Sequence, residues 1–294
     1  MTSLLLTPTA LLRRHVIAPA AAIAGRPLGS PLAGRTVVVT GASSGVGEAT
    51  ARHVARVGGR VVLVARREAD LARVTAQIEA DGAEASYEVC DLTDPEATDA
   101  LIARLLDAHA PIHYLVNNAG RSIRRSLENS EGRVHDFERT MAINYFGPVR
   151  LTLGLLPAMR AQGFGHVVNI VTWGVQLKAP KFAAYIASKT ALDSFARIAG
   201  REAWRDNVTF TNLRLSLVRT DMITATDAYA KAPALSAEQA AAKVVRALED
   251  RPLTMGTTAS NLGEVLNLVA PRATDLLFAQ MHRRMPDSKA ARGD

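Results

Sequence analysis

Val37-Val38-Val39-Thr40-Gly41-Ala42-Ser43-Ser44-Gly45-Val46-Gly47 is the stretch on which the fold turns. Three β-branched apolar residues in a row predict a buried strand. The glycines predict a tight turn, and the alanine-rich run from Glu48 to Val57 predicts a helix. Without Cβ atoms at Gly41, Gly45 and Gly47 the backbone can turn sharply and approach a pyrophosphate held at the helix N-terminus. The spacing puts three residues between the first two glycines, unlike the G-x-G-x-x-G fingerprint.

Two further motifs follow in order. Asn117-Asn118-Ala119-Gly120 closes the apolar run Ile112 to Val116, at a strand end where open α/β sheets bind ligands. Tyr185-Ile186-Ala187-Ser188-Lys189 sets a phenol and an ammonium four residues apart, on one face of a helix and about 6 Å along its axis. A free tyrosine, with a pKa of about 10, is a poor acid-base catalyst at neutral pH. A neighbouring ammonium favours the phenolate and brings the group toward the working range.

On these three motifs the chain resembles the short-chain dehydrogenase/reductase family from roughly Gly34 to Met255. The resemblance implies an α/β fold, a single doubly wound Rossmann-type domain with a mainly parallel seven-stranded sheet flanked by helices. It assigns Gly41, Ser43, Ser44, Gly45, Val46 and Gly47 to the cofactor turn. Asp91 and Leu92 fall to the adenine pocket, and Asn118, Ala119 and Gly120 to sheet and cofactor support. Asn144 becomes the catalytic asparagine, holding a water in the proton relay, and Tyr185 and Lys189 the acid-base pair, both also touching cofactor. The family's serine position, thirteen residues ahead of the tyrosine, falls on Thr172, which keeps a hydroxyl able to donate to a carbonyl oxygen. Ser188 is not its substitute, being turned roughly 100° off the Tyr/Lys face. After the sixth strand, Leu215-Ser216 replaces the family's Pro-Gly, while Val218 and Thr220 match positions that contact the nicotinamide.

Cofactor choice is read at the end of the second strand, Val61 to Arg67. An acidic residue there would hold a ribose diol and repel a 2′-phosphate. Ala65 cannot, and Arg66 offers a planar fork suited to phosphate, so NADP(H) is expected. Arg67 is read as either a second phosphate ligand or a solvated charge at a helix start.

The 294 residues, 48% apolar, suffice for one full core. Strands are expected near 35–40, 60–65, 84–90, 112–117, 165–172, 208–215 and 252–256. The expected division is an N-terminal extension over 1–33, the catalytic domain over 34–258 and a helical extension and tail over 259–294. One cysteine, Cys90, precludes an internal disulfide, suits a reducing cytoplasm, and reads as a small buried hydrophobe. The histidines lack metal-ligand spacing, and no metal is expected. The net charge of +7 is carried by dispersed arginines without an aromatic-basic platform, so anionic small molecules are expected partners rather than nucleic acid. Arg13, Arg14 and His15 interrupt the apolar N-terminus, leaving a run too short to span a bilayer but suited to a docked helix or peripheral membrane contact. Leu262 to Phe278, apolar at helical spacing, reads as core or dimer surface.

A narrower resemblance runs through Asn117 to Ser126, His135 to Met141, Asn144 to Gly147 and Leu217 to Thr220. These phrases are similar to the fatty acyl-CoA reductase branch of the family, and imply an acyl thioester or fatty aldehyde as substrate. Arg121, Arg124 and Arg125 are candidates for the phosphates of coenzyme A or NADPH, or for a solvated face. Two readings stay open beside this one: a ketone, aldehyde or 3-oxoacyl reductase, and a nucleotide-binding regulatory protein with weak turnover. The family resemblance also implies a homodimer or homotetramer.

Overall fold

The computed structural model describes residues 29–220, 232–285 and 287. The expectations for the N-terminal extension up to residue 28, and for the tail beyond 287, lie outside the described residues. In chain order the elements are β1 (Thr36–Thr40), α1 (Gly45–Arg56), β2 (Arg60–Ala65), α2 (Glu68–Ala80), β3 (Ala85–Val89), α3 (Pro95–Ala108) and β4 (Ile112–Asn117). Then come α4 (Val134–Met141), a π-helical turn (Ala142–Phe146), α5 (Gly147–Ala161), β5 (Gly165–Thr172), α6 (Gly174–Leu177), α7 (Ala183–Glu202) and β6 (Val208–Leu215). The chain closes with α8 (Ala237–Asp250), β7 (Thr254–Met255), α9 (Thr258–Val269) and α10 (Pro271–Arg284).

All strand pairs are parallel, in the order β3-β2-β1-β4-β5-β6-β7. The expected strands are all present, with the last reduced to two residues. Every residue of β1 is buried because helices cover both sheet faces, which is why its sequence reads as continuous Val and Thr rather than alternating. Side chains still alternate between two cores. Val37, Val39 and Leu63 face α1, α2 and α8 through Val54, Val74 and Val244, whereas Val38, Val62 and Leu115 face α3 and α5 through Leu101, Leu105 and Leu155.

The helices start where their caps dictate. Asp94 accepts from the N–H groups of Glu96 and Ala97 at 2.9 and 3.1 Å, with Pro95 at the first helical position of α3. Ser236 and Gln239 form a reciprocal capping box at α8. The strand order reverses between β1 and β4, so the glycine turn after β1 and the Asn-Asn-Ala-Gly segment after β4 border one crevice. Leu32 is fully buried and the Ser30 hydroxyl donates to Glu249, so the body of the fold already includes residues just ahead of Gly34.

α9 and α10 are different. The sequence reads this region as core or dimer surface, and it is not core: Ser260 is the one buried residue of α9, and α10 has none. Leu268 is 82% exposed and Leu276 74% exposed. No helix among the described residues is long and apolar enough to cross a membrane.

Candidate active site

The glycine turn is locked to the end of β4. Thr40 Oγ1 donates to the carbonyl of Val116 at 3.1 Å and accepts from the N–H groups of Asn118 and Ala119, both at 3.0 Å. The Asn118 amide donates to the carbonyl of Thr40 at 2.9 Å and Gly41 at 3.3 Å. The packing leaves no room for a side chain at Gly47, whose Cβ would lie 2.1 Å from the Gly41 oxygen. α1 starts at Gly45, three residues earlier than its alanine-rich run suggested, with Ser44 as N-cap. Thr220 stands against this turn, its Cγ2 3.2 Å from where a Gly45 Cβ would be. Val218 reaches its position through a parallel bridge to Leu235.

A buried amide ladder crosses the sheet at the same level. Asn117 Nδ2 donates to Asn169 Oδ1 at 2.8 Å, and Asn169 Nδ2 to Asn212 Oδ1 at 3.4 Å, along the β4–β5–β6 register. Asn212 Nδ2 then donates to the Asp193 carbonyl at 2.9 Å, one turn beyond Lys189 in α7. The ladder thus ties the helix bearing Tyr185 to the sheet. Asn169 and Asn212 escaped the sequence reading. An asparagine in each of two strand interiors, where that residue is depleted, was the available signal.

Tyr185 and Lys189 lie on α7 as expected. Lys189 is buried, Nζ donates to the Ile170 carbonyl at 2.8 Å, and burial lowers its pKa from 10.5 to about 8. Asn144 sits in the π-helical turn between α4 and α5, where π-bulges mark functional sites. Its Nδ2 donates to the Arg121 carbonyl at 2.8 Å and the Ser188 hydroxyl at 2.9 Å, and its Oδ1 accepts from the Arg121 N–H. Ser188 is fully buried and donates to the Tyr185 carbonyl, so it braces Asn144 and faces away from any substrate. Gly120 brings the residues together: a Cβ there would lie 2.9 Å from Asn144 Oδ1 and 3.3 Å from Lys189 Nζ. Thr172 ends β5, its Oγ1 accepting the Gly174 N–H at 3.1 Å, which leaves the hydroxyl proton to donate elsewhere.

The two arginines after β2 divide. Arg66 is 72% exposed in its side chain and pairs with Asp91 at 3.4 Å. Arg67 is more than a solvated charge: its Nη2 donates to the Ser43 and Ser44 hydroxyls at 3.3 and 3.2 Å, while Nε holds Asp70. Asp91 is lowered in pKa, burial being outweighed by hydrogen bonds from Thr93 and the charge of Arg66. Leu92 packs beneath the start of α5, its carbonyl 2.5 Å from where a Gly147 Cβ would be. Arg124 and Arg125 do not lie on a solvated face: both side chains are largely buried, against Asp287 at 3.9 Å and Asp136 at 3.3 Å. Arg121 and Arg124 line the same cavity as the glycine turn. Cys90 is buried, its thiol pushed up by desolvation, as a small hydrophobe should be.

The turn, Arg66, Arg67, Asp91, Thr172, Tyr185 and Lys189 line one cavity of about 1350 Å³. Trp173, Phe182 and Ile186 add apolar wall beside the hydroxyls, and Met281, His282 and Met285 enclose it from the end of α10.

The short chain dehydrogenase family profile matches residues 35–230. The chain belongs to the short-chain dehydrogenase family. This dehydrogenase is 42% identical over 261 residues to a fatty acyl-CoA reductase of Acinetobacter baylyi, covering 89% of this chain and 88% of that protein. It is equally 42% identical, over 275 residues, to an uncharacterized oxidoreductase of Mycobacterium tuberculosis, covering 92% of this chain and 81% of that one. A crystal structure of a 3-oxoacyl (acyl-carrier-protein) reductase from Agrobacterium tumefaciens with NADP bound superposes with a TM-score of 0.67 at 30% identity, covering 73% of the dehydrogenase and 87% of its neighbour.

Proposed function

We propose that this dehydrogenase is an NADPH-dependent reductase of a lipid-like carbonyl, a long-chain acyl-CoA or the related fatty aldehyde. The observation that carries the reading is the single cavity in which Thr172 and Tyr185 share a wall with Trp173, Phe182, Met281 and Met285. A carbonyl and an apolar chain are the two halves of the ligand such a wall suits. The likeness to the Acinetobacter baylyi reductase supports the same class.

The residues present fit a dinucleotide phosphate. Gly41, Ser43, Ser44, Gly45 and Val46 line the cavity where α1 begins, and a helix N-terminus there suits a pyrophosphate. Arg66 and Arg67 with Ser43 and Ser44 supply a cationic, hydroxyl-rich rim for a 2′-phosphate. Asp91 and Leu92 border the adenine end, and Val218 and Thr220 the nicotinamide end. When bound, NADPH supplies the hydride.

The protein's own residues handle the oxygen and its proton. Thr172 and Tyr185 donate to the carbonyl oxygen, and Tyr185 gives up its proton as negative charge develops there. Lys189 favours the resulting phenolate, and Asn144 positions the water that returns the proton. With a thioester substrate the tetrahedral carbon re-forms its carbonyl by expelling thiolate, which leaves as thiol on taking a proton, and an aldehyde remains. No thiol of the protein takes part.

α9 and α10 add a peripheral lipid contact. Arg272, Leu276 and Arg283 fall on one stripe of α10, pairing an apolar contact with cations suited to anionic headgroups. Leu153 on α5 and Ile198 on α7, both exposed, are the face we assign to self-association.

Following NADPH absorbance with palmitoyl-CoA, a fatty aldehyde and a 3-ketone tests the reading. Turnover of either of the first two supports it. Turnover of the ketone alone moves the function to the 3-oxoacyl class, and none at all to a regulatory one.

A further inference from the structure

Asp287 is the anchor of the C-terminal helix. α10 has no residue in the buried class, yet its last turn and the residue after it supply Met281, His282 and Met285 to the cavity that holds Tyr185. Two residues beyond Met285, the Asp287 carboxylate is 3% exposed and gathers donors from two other segments. It accepts from the Ser126 N–H at 3.2 Å, from the Ser126 hydroxyl, and from Asn129 Nδ2 at 2.7 Å, all in the loop that follows Asn117-Asn-Ala-Gly120. It also accepts from Lys181 Nζ at 3.0 Å, with Arg124 at 3.9 Å. Lys181 stands four residues before Tyr185, in the left-handed region at φ 71°, and its own carbonyl accepts from the Arg125 N–H at 2.7 Å. One carboxylate therefore joins the C-terminal helix to the approach to the catalytic helix and to the loop beside the cofactor crevice.

Its surroundings make the bond firm. Burial alone would raise the Asp287 pKa, but hydrogen bonds from Ser126, Asn129 and Lys181 outweigh it and hold the group well below the usual carboxylate range. The clamp therefore stays charged throughout the physiological range. Charge-assisted hydrogen bonds of this kind are stronger than neutral ones, and they anchor the chain just past a helix that buries no whole residue. His282 adds a polar element to the wall, since its Nδ1 is buried without a hydrogen-bond partner among the described residues.

We propose that Asp287 is a positioning residue which clamps α10 over the cavity, so that the wall formed by Met281, His282 and Met285 selects for substrates long enough to reach it. The inference rests on the lipid-like substrate proposed above. A short aldehyde is reduced at Thr172 and Tyr185 without touching the clamped wall. A long acyl chain needs that wall in place, and its selection is lost when α10 swings free.

The test uses the full chain with saturating NADPH. Asp287→Asn keeps the shape and removes the charge, and Lys181→Met removes the partner while keeping an apolar stem. For both, KM for a long-chain substrate is expected to rise on the order of tenfold, with kcat and KM for a short aldehyde changed less than about twofold. Hydrogen exchange across residues 271–285 should quicken at unchanged NADPH affinity. An equal loss for long and short substrates, or unchanged exchange at 271–285 in both variants, overturns the clamp. Should the starting protein reduce neither substrate, the reaction proposed above fails. A fluorescent long-chain fatty acid then replaces the substrate: weakened binding in both variants upholds the clamp, and equal binding overturns it.

Discussion

Lys189 Nζ lies 2.8 Å from the carbonyl oxygen of Ile170, a residue two short of Thr172 on β5. The Lys189 ammonium is thereby fixed to the strand that carries the Thr172 hydroxyl. Its position is set by backbone rather than by a carboxylate, and burial is what lowers its pKa.

That has a measurable consequence in pH. With the folded pKa lowered from 10.5 to about 8, Lys189 is charged in both states below about pH 8, and there its burial opposes folding in full. Between about 8 and 10.5 the unfolded chain holds a proton that the folded chain has released, so this group's contribution becomes more favourable as pH rises. Lys189→Met should therefore be the more stable protein near about pH 7, with its advantage shrinking toward about pH 10. Urea midpoints of the cofactor-free proteins at the two pH values check it; a constant difference would contradict it.

Tyr185→Phe removes one hydroxyl and little volume. It is expected to abolish reduction while leaving NADPH affinity nearly unchanged, whereas Lys189→Met should reduce both. Turnover at the starting rate by the phenylalanine protein would remove Tyr185 from the chemistry.

Thr172 separates hydrogen bonding from packing. Thr172→Ser should retain activity, and the near-isosteric Thr172→Val should lose on the order of 10²-fold in single-turnover rate, as for removal of an oxyanion donor. Equal rates for threonine and valine would leave Tyr185 as the sole donor.

At the 2′-phosphate rim, Arg66→Asp is expected to reverse the preference for NADPH over NADH. Arg67→Ala should weaken NADPH alone, by roughly tenfold, a charged hydrogen bond being worth about 1.5–3 kcal/mol. Titration of both cofactors decides between the arginines: whichever substitution spares NADPH identifies a residue that does not bind it.

Lipid contact by α9 and α10 predicts flotation with vesicles containing anionic phospholipid. Leu268→Glu and Leu276→Glu, at positions that bury nothing, should abolish it without lowering Tm. If the variants instead change only the oligomeric state, the face is a self-interface.

The strand-turn-helix around Gly41 to Gly47 and the order of its partner motifs were legible because each depends on local chemistry: β-branched runs, glycine spacing, a tyrosine and a lysine one helical turn apart. The roles of Arg124 and Arg125 were not. They are set by Asp287 and Asp136, of which the first is more than 160 residues away in sequence, and a charge carries no mark of a partner so distant. Asn169 and Asn212 stayed hidden for a related reason, since their pairing exists only once β4, β5 and β6 are in register. Ser188 was half legible: helical geometry turned it away from the substrate, but its hold on Asn144 depends on the π-turn.

The π-turn at Ala142–Phe146 also limits how this chain can change. Its extra residue offsets α5 from α4 by about 100° relative to a continuous α-helix. Deleting one residue there would straighten the backbone and rotate either Leu151, Leu155 and Met159 out of the core or Asn144 away from Arg121 and Ser188. The passage from α4 to α5 therefore constrains the chain in length as well as in residue type. Among descendants of this sequence, insertions and deletions should therefore gather on either side of that turn and spare it.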